Sequence, residues 1–513
     1  MEAMIVYLSS AVCLLLLSVV ITFINKFWWT PICIQSKLRS QGIKGPSYKF
    51  IYGSTKEILH MRNEIMATPM ELSNHILPRI EPHVHSWTKL YGRNFLFWFG
   101  PKPQLIVTEP DLIKEILNGK EGGEYRKRDL TYFAKKILGD GLISARGEKW
   151  FKQRKIANHA FHAENLKNMI QAMIASVEMM LERWGHYEGK EVDAFKEFKV
   201  LTSEVISKTA FGSSYKEGEK IFDMLTKMAF ILTRNAFKVR IPVLGKLAKT
   251  NDDIEADRLQ KDIKDSIIKM IMKRENNVSR GEDYRYGSDL LGLLLTACHH
   301  EDQTQRISID DVIDDCKTFY VGGHETTASF LSWTVLLLAT HSDWQDKARK
   351  EVLEVLGQAN PTPNSISRLK TMSMIINETL RLYPPAVGIL RETKSQVKLG
   401  SVIVPANVDI TVSILALHHD PEIWGEDAFL FKPERFADGV AKATNNKMAA
   451  FCPFGLGPRT CVGLNFSLME TKVALSMLLQ RYRFTLSPTY VHSPLQVISM
   501  RPQHGLPIVL HSL

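Results

Sequence analysis

The sequence predicts a mainly helical fold with minor β-structure, arranged as one large domain behind an N-terminal transmembrane helix. Much of the chain, as in residues 165–184 and 309–338, repeats apolar residues every three or four positions, which is typical of amphipathic helices. Short alternating stretches, such as Phe95–Phe99 and Val402–Val404, predict strands of small sheets. No internal repeat and no linker rich in Pro, Gly or Ser divides residues 46–513, so a single domain is expected there.

The N-terminal segment, residues 1–26, is predicted to be a transmembrane anchor. Residues 3–25 carry no charge and are rich in Leu, Val and Ile, enough for a helix across a hydrocarbon core of about 30 Å. A cleaved signal peptide is the alternative, but it would have a shorter apolar region, a basic start and a small-residue cleavage site. The Lys and Arg residues of a basic Gly-Pro linker, residues 27–45, place the following domain in the cytosol. We therefore expect a single-pass protein of the endoplasmic reticulum membrane.

The composition excludes several classes of protein. Of the 513 residues, 45% are hydrophobic and 23% are charged, which is ordinary for a globular protein and excludes a transporter with many spans. The net charge of +10 indicates an anionic neighbour. Because the basic residues are scattered and resemble no nucleic-acid-binding module, we expect a membrane surface or an acidic protein, and no nucleic acid. Six cysteines without CxxC pairs or regular spacing favour free thiols in a reducing compartment.

One cysteine near the C-terminus, Cys461, stands in a setting that favours metal ligation. A helical pattern begins directly after it, and the N–H groups and dipole at a helix start are expected to depress the pKa of its thiol. Gly455, Gly457 and Gly463 permit a tight turn and a close approach of the backbone to a flat cofactor. Arg459 offers a fixed cation for a propionate. A cysteine without these neighbours would be read as a buried, inert thiol.

The segment Phe454-Gly455-Leu456-Gly457-Pro458-Arg459-Thr460-Cys461-Val462-Gly463 resembles the haem-binding signature of cytochromes P450, Phe-x-x-Gly-x-Arg-x-Cys-x-Gly, at every defined position. The resemblance implies the cytochrome P450 fold and haem b held by the axial thiolate of Cys461. It also implies that Phe454, Arg459 and Gly463 contact the cofactor. Residues 316–329, 334–357 and 501–507 are similar to the plant clan that contains secologanin synthase, cytokinin hydroxylases and gibberellin- and brassinosteroid-modifying enzymes.

A long apolar helix that begins with a capping box at Ser308 contains the next motif. Gly322 and Gly323 lie in its middle, where each glycine costs about 1 kcal/mol relative to alanine, so a reason for both is needed. The family implies a local distortion that makes room for dioxygen beside the cofactor. Glu325 and Thr326 resemble the family's acid–alcohol pair, which implies a catalytic role in proton delivery. Without the Cys461 motif, both would be read as solvated side chains.

Two further segments resemble the family's contacts to the haem propionates. Trp150 and Arg154 lie four residues apart, so the aromatic ring and the cation share one helical face. The family uses Trp-x-x-x-Arg to bind one propionate. Arg391 follows a Pro-Pro break and resembles another propionate partner. We therefore expect all three side chains at the cofactor.

Glu378 and Arg381 lie three residues apart on an amphipathic helix, a spacing that usually gives only a solvated surface bridge. Downstream, the stretch Phe-Lys-Pro-Glu-Arg-Phe at residues 431–436 resembles the family's second arginine motif. The resemblance implies a structural triad of Glu378, Arg381 and Arg435 that locks the segment beneath the haem.

The function implied by the resemblance is insertion of one oxygen atom from dioxygen into an unactivated C–H bond. Electrons would come from NADPH through the membrane-bound NADPH–cytochrome P450 reductase. The expected substrate is a lipophilic small molecule such as a terpenoid, a plant hormone or a fatty-acid derivative. Its contacts are expected from apolar stretches at residues 125–142, 222–241, 320, 386–390 and 495–498.

Two alternatives stay open. The first is a P450-type isomerase or dehydratase, which rearranges a peroxide and needs neither dioxygen nor a reductase. The second is a haem-binding protein without catalytic activity. Glu325 and Thr326 argue against both, because neither alternative needs an acid–alcohol pair for proton delivery.

Overall fold

Helices form most of the chain in a computed structural model that describes residues 2–238, 249–281 and 285–513. The α-helices in these ranges are Glu2–Ile24, Thr30–Arg39, Thr55–Ala67, Leu77–Ile80, Pro82–Tyr91, Pro110–Asn118, Tyr132–Leu138, Gly147–Ala160, Ala163–Trp184, Ala194–Phe211, Tyr215–Asn235, Asn251–Ser279, Leu290–Cys298, Ile309–Thr340, Ser342–Leu356, Pro363–Ser367, Lys370–Leu382, Ile414–His418, Pro421–Trp424, Gly439–Ala443 and Leu464–Arg481. The predicted mainly helical class is confirmed.

The strands are short and lie in small sheets. They are β1 (Phe95–Phe99), β2 (Lys102–Val107), β3 (Tyr125–Lys127), β4 (Glu191–Asp193), β5 (Gly388–Thr393), β6 (Val397–Leu399), β7 (Val402–Val404), β8 (Asp409–Ser413), β9 (Tyr482–Leu486), β10 (Pro494–Gln496), β11 (Met500–Pro502) and β12 (Pro507–Ser512). The largest described sheet has the order β1-β2-β8-β5-β3, with β2 and β8 parallel and the other neighbours antiparallel. This sheet brings β3 beside β5, which positions part of the site described below.

The helix Ile309–Thr340, called the central helix from here on, crosses the domain and is buried along most of its length. It begins as predicted: the Ser308 hydroxyl accepts a hydrogen bond from the N–H of Asp311, whose carboxylate accepts one from the N–H of Ser308. The helix stays α-helical through Gly322 and Gly323, where the family resemblance implied a distortion.

Packing gives these two glycines another reason. A Cβ on Gly323 would lie 2.7 Å from Cδ1 of Ile206, so the glycine permits close contact with the helix Ala194–Phe211. A Cβ on Gly322 would meet no atom within 4 Å, because this residue faces the cavity described below. One glycine therefore serves helix packing, and the other leaves space beside the site.

The three residues of the predicted triad lie together. Glu378 and Arg381 are fully buried and form two hydrogen bonds, Nε to Oε2 at 2.8 Å and Nη2 to Oε1 at 2.7 Å. Arg435 places its Nε 3.5 Å from Oε1 of Glu378. Burial makes this pair unlike the solvated bridge that spacing alone would indicate, since a buried charge is tolerated only when it is paired.

The N-terminal segment differs from the expected arrangement of span and linker. Among the described residues, one helix, Met4–Arg39, is long and apolar enough to span a membrane. Three consecutive elements make up this stretch: the α-helix Glu2–Ile24, the π-helical turn Asn25–Trp29 and the α-helix Thr30–Arg39. Much of the stretch predicted as a linker, residues 27–45, is therefore helical. The reason is packing: Leu38 is fully buried against the domain, where it joins Leu96 and Trp98.

Candidate active site

A cavity of about 550 Å³ lies where the central helix, the loop that contains Cys461, strand β5 and residues 127–143 meet. Its lining is mainly apolar. Every residue that the sequence predicted as a cofactor contact lines it: Trp150, Arg154, Gly322, Gly323, Arg391, Phe454, Arg459, Cys461 and Gly463. Thr326 also lines the cavity, whereas Glu325 does not. The predicted residues come from segments that are up to 313 positions apart in the chain, and the fold brings them to one place.

The loop around Cys461 folds as a tight turn. The N–H of Cys461 donates to the carbonyl oxygen of Phe454 at 2.9 Å, which closes the loop. Gly455 and Gly457 have φ angles of +77° and +74°, a region that favours glycine. A Cβ on Gly457 would lie 2.3 Å from the carbonyl oxygen of Leu117, so this glycine also permits close contact with the helix Pro110–Asn118. The cysteine side chain consequently stands at the cavity, just before the helix Leu464–Arg481.

The surroundings of Cys461 act on the pKa of its thiol in opposite directions. Burial raises the pKa of its thiol, and the N–H of Gly463 and the charge of Arg154 act only partly against this. The net result is a raised pKa, not the lowering that the helix start was expected to produce. A metal ion held by the Cys461 sulfur would supply the missing charge, because coordination deprotonates a thiol outright.

A carboxylate and the Trp150 ring hold Arg459 in place. Its Nε and Nη2 donate to Oε2 and Oε1 of Glu121 at 2.6 and 2.5 Å, and Nη2 also donates to the carbonyl oxygen of Ala145. The guanidinium lies 4.7 Å from the centre of the Trp150 ring. Burial alone would raise the pKa of Glu121, but the hydrogen bonds and charge of Arg459 hold it below its usual value. Arg154 donates from Nη1 to the carbonyl oxygen of Thr460 at 2.6 Å, next to Cys461.

Arg391 and Lys127 face the same part of the cavity with few partners. The recorded hydrogen bond of the Arg391 side chain goes to the carbonyl oxygen of Leu390 at 3.0 Å. Burial and the nearby charge of Arg459 lower the pKa of Arg391 to about 10. Burial and the charges of Arg391 and Arg459 lower the pKa of Lys127 to about 7. This corner therefore holds more positive charge than Glu121 neutralises.

Sequence reasoning missed Glu121, and it included Lys127 only within the apolar stretch 125–142 expected to contact the substrate, not as a cation for the cofactor. Neither belongs to a motif, and each reaches the site through a contact that is distant in sequence. Lys127 arrives because β3 pairs with β5 and sets Lys127 opposite Arg391. Glu121 is recognisable only through its ion pair with Arg459, 338 residues away. No local pattern in the sequence signals either residue.

The predicted acid–alcohol pair is separated in the structure. The hydroxyl of Thr326 donates to the carbonyl oxygen of Gly322 at 2.6 Å and borders the cavity. The carboxylate of Glu325 is buried elsewhere, where Oε1 lies 3.2 Å from Nη1 of Arg501 and accepts from the hydroxyl of Ser499 at 3.3 Å. Consecutive residues on a helix point about 100° apart, so one faces the cavity while its neighbour faces β11.

The expected substrate contacts are divided in the same way. Residues 127–131, Ala134 and Leu142 line the cavity, as do Ala386 and residues 388–390. Tyr320 does not, because its ring stacks on Phe211 at 4.1 Å and its hydroxyl donates to the sulfur of Met270. The described residues of 222–241 and residues 495–498 also lie outside the lining, and residues 239–241 fall outside the described ranges.

Comparison with known proteins decides the family. The cytochrome P450 family model matches residues 75–506. The chain belongs to the cytochrome P450 family. Cytochrome P450 CYP749A22 of Panax ginseng is 55% identical over 509 residues, covering 99% of this chain and 97% of the relative. Cytochrome P450 734A1 of Arabidopsis thaliana is 40% identical, covering 97% of this chain and 96% of the relative. This chain is therefore a plant P450 of the predicted clan.

Two further comparisons add to this. The protein named 11-oxo-beta-amyrin 30-oxidase of Glycyrrhiza uralensis is 41% identical over 503 residues, covering 96% of this chain and 95% of the relative. Among solved structures, retinoic acid bound cyanobacterial CYP120A1 has a TM-score of 0.74 at 24% sequence identity and covers 86% of this chain and 96% of that chain. The latter similarity confirms the fold.

This P450 is a monooxygenase that uses haem b and NADPH-derived electrons delivered through a reductase. The residues at the cavity fit that cofactor. Haem b carries two propionate carboxylates, and the corner around Lys127, Arg391 and Arg459 has unneutralised positive charge for them. Cys461 offers a sulfur ligand at the same cavity. The donor set therefore matches both ends of the cofactor: a soft ligand for iron and cations for the propionates.

Proposed function

We propose that this P450 is held in the endoplasmic reticulum membrane by its N-terminal helix, with the catalytic domain in the cytosol. There it oxidises a lipophilic terpenoid, with electrons from NADPH–cytochrome P450 reductase. The observation that supports the reaction best is that the Cys461 sulfur and the Thr326 hydroxyl border one mainly apolar cavity. A terpenoid is proposed because an apolar cavity favours an apolar molecule, and because a relative with 41% identity is named as an oxidase of the triterpenoid 11-oxo-beta-amyrin.

We assign the axial ligand to Cys461 and the propionate contacts to Trp150, Arg154, Arg391 and Arg459. A haem with a thiolate ligand supplies the chemistry that activates dioxygen. The chain supplies the setting for it. Gly322 leaves room beside the central helix, and the apolar lining excludes water from the substrate.

For proton delivery we assign the Thr326 hydroxyl, which is the group of the predicted pair that reaches the cavity. Glu325 is buried in its ion pair with Arg501, so a role as proton donor requires that this pair opens.

The test begins with microsomes that contain the full-length protein and a plant NADPH–cytochrome P450 reductase. Panels of triterpenoids, plant hormones and fatty acids are screened for products by mass spectrometry, with NADPH and dioxygen consumption measured in parallel. We expect oxygenated triterpenoid products that require NADPH, dioxygen and the reductase. Conversion of a hydroperoxide without NADPH would instead indicate the isomerase or dehydratase class. Products only from hormones or fatty acids would overturn the proposed substrate class and leave the reaction standing.

A pair of threonine variants tests the role of Thr326. Thr326→Ala removes the hydroxyl at the cavity, and we expect product formed per NADPH to fall by roughly a factor of 10 or more. Thr334→Ala is the matched control. Thr334 lies on the same helix and makes the same type of bond to a carbonyl four residues back, at 2.9 Å, but it does not line the cavity. If the two variants formed the same amount of product per NADPH, the proposed role of Thr326 in proton delivery would be wrong.

A further inference from the structure

We propose that residues 48–53, called the 48–53 loop, join the turn Asn25–Trp29 to form a surface that docks into the lipid headgroup layer. We further propose that the hydroxyl of Tyr48 fixes the anchor helix to the catalytic domain, so that the domain holds one tilt relative to the membrane. This inference rests on the proposed membrane anchor. It gives the connection between the anchor and the domain, where a Gly-Pro linker at residues 27–45 was expected, the form of a rigid joint.

The joint is built at a defect in the anchor helix. Pro31 has no N–H, so it cannot donate to the carbonyl oxygen of Phe27, four residues earlier. The Tyr48 hydroxyl, from the catalytic domain, donates to this same carbonyl oxygen at 2.6 Å. The π-helical turn Asn25–Trp29 lies at the same point, which is where inserted side chains and prolines disturb helices. The carbonyl oxygen of Phe27, which lacks a donor from Pro31, thus receives one from the catalytic domain.

The partners of Tyr48 fix it from several sides. Its hydroxyl accepts from the N–H of Ile51 at 3.2 Å, and its own N–H donates to Oε1 of Gln35 at 2.7 Å. Its ring lies edge-on to the fully buried ring of Trp98, 4.9 Å between centres. Ile51 has a φ angle of +63°, which is rare for a β-branched residue and indicates a backbone held by its surroundings. The loop therefore has one defined shape against the anchor.

The outer face of this joint is aromatic and exposed. The exposed fractions are 48% for Trp28, 62% for Trp29, 45% for Phe50 and 45% for Tyr52. The Phe50 ring lies 5.6 Å from Trp28, between ring centres, and 6.3 Å from Phe23. Phe50 belongs to the catalytic domain, yet it touches the last turns of the membrane span. It must therefore lie at the depth where that span leaves the hydrocarbon.

A lipid headgroup layer is the occupant that this surface fits. Trp and Tyr are enriched at that depth, and lysine side chains there reach toward anionic lipid headgroups. Lys56 has its ammonium 3.9 Å from the centre of the Tyr52 ring, and Lys26 has its ammonium 5.7 Å from that of Phe27. The surface is also continuous with the span itself, so any bilayer that holds the anchor reaches it.

The experiment measures the haem tilt by linear dichroism of the Soret band. It uses the full-length holoprotein in oriented films of phosphatidylcholine and phosphatidylserine nanodiscs that hold one chain each. We expect a single narrow tilt for the unmodified protein. Tyr48→Phe should broaden the tilt toward an isotropic signal, whereas Tyr52→Phe, which removes a hydroxyl from the same loop, should leave it unchanged. Phe50→Ser with Tyr52→Ser should also broaden it, whereas Tyr187→Ser, at a tyrosine exposed to 45%, should not.

Hydrogen exchange supplies a second readout that needs no haem. In Tyr48→Phe the Ile51 amide loses its acceptor, so its exchange should become about tenfold faster or more than in Tyr52→Phe. Equal exchange and equal dichroism in these two variants would overturn the inference. So would a tilt that becomes ordered only when two chains share a nanodisc, because the surface would then bind a second copy. Release of the unmodified protein by alkaline carbonate would instead contradict the anchor itself, which separates failure of the proposed function from failure of the joint.

Discussion

Two buried charge clusters of this P450 are built from similar residues but differ in balance. Around Glu378, the largely buried guanidinium groups of Arg381 and Arg435 meet two carboxylates, since Asp427 also pairs with Arg435. The third cation there, Lys432, pairs with Asp427 from a partly exposed position. Around Glu121, one carboxylate faces the cations Lys127, Arg391 and Arg459. Only the second cluster borders the cavity. The comparison teaches that a balanced cluster holds the fold, whereas an excess of buried charge at a cavity marks the place of a charged ligand.

The hydrogen bonds show the same contrast. Arg381 makes five recorded bonds, two to Glu378 and three to the carbonyl oxygens of His418, Ala428 and Leu430. A guanidinium has five N–H donors, so this one is saturated. The side chain of Arg391 makes one recorded bond, to the carbonyl oxygen of Leu390. The first arginine closes its neighbourhood, and the second retains donors for a ligand.

Loss of Arg381 should produce the largest effect. Arg381→Ala removes two hydrogen bonds and the nearest positive charge from the buried carboxylate of Glu378. We therefore expect the free energy of unfolding to fall by about 3–5 kcal/mol. Chemical denaturation followed by circular dichroism measures this. Arg483→Ala is the control, because Arg483 is half exposed and its pair with Asp346 is 3.9 Å long, so about 1 kcal/mol or less is expected. Similar losses in the two variants would break the distinction between a balanced buried cluster and an ordinary surface pair.

Loss of Arg391 should weaken haem binding more than folding. Arg391→Gln removes a charge-assisted contact to a propionate worth about 1.5–3 kcal/mol, so haem affinity should fall by roughly 10- to 100-fold. Transfer of haem to apomyoglobin measures the affinity, and denaturation of the apoprotein measures stability. Arg128→Gln should show the opposite pattern, because Arg128 also lines the cavity but pairs at 2.8 Å with the fully buried Asp409. If Arg391→Gln destabilised the apoprotein as much as it weakened haem binding, the cluster would be structural.

Lys127 gives the smallest effect and a pH dependence with a defined sign. Its pKa is about 7 in the folded protein and about 10.4 when unfolded, so between these values the unfolded chain binds more protons. The penalty of burying the charge is therefore fully present below about pH 7 and is relieved as pH rises toward 10. The measurement is the free energy of unfolding of the wild-type apoprotein minus that of the Lys127→Met apoprotein. We expect this difference to rise between about pH 7 and about pH 10. Haem should flatten the difference, because propionates stabilise the cation. A difference that is flat in the apoprotein would contradict the proposed placement of Lys127.

Much of the fold was predictable because its signals are local. The capping box at Ser308 lies within four residues, and helical periodicity extends over whole segments. The Cys461 loop was also readable, since glycines, an arginine and a helix start lie within ten residues. These patterns gave the helical class, and the family resemblance gave the set of residues that the fold gathers at the cavity.

The features of the fold and of the site that the sequence did not predict depend on contacts between distant segments. The excess charge at Lys127 exists only because β3 pairs with β5, and the Tyr48 hydroxyl meets Phe27 only because the anchor packs on the domain. Glu325 shows the same limit at one residue. Its position in the sequence placed it beside Thr326, but the partner that determines its direction, Arg501, lies 176 residues later. Spacing along a helix determines on which side of the helix a residue lies, but it does not determine which residues of other segments that side contacts.

The measurement that tests the central claim most directly is the reduced carbon monoxide difference spectrum of the full-length protein and of Cys461→His. We expect the long-wavelength Soret band of a thiolate-ligated haem in the unmodified protein. In Cys461→His that band should be replaced by the shorter-wavelength band of a nitrogen-ligated haem. Cys452→Ser is the control, because Cys452 is buried nine residues away, outside the cavity lining, and burial raises the pKa of its thiol to about 12. Retention of the thiolate band in Cys461→His, or its loss in Cys452→Ser, would contradict the assignment of Cys461 as the iron ligand.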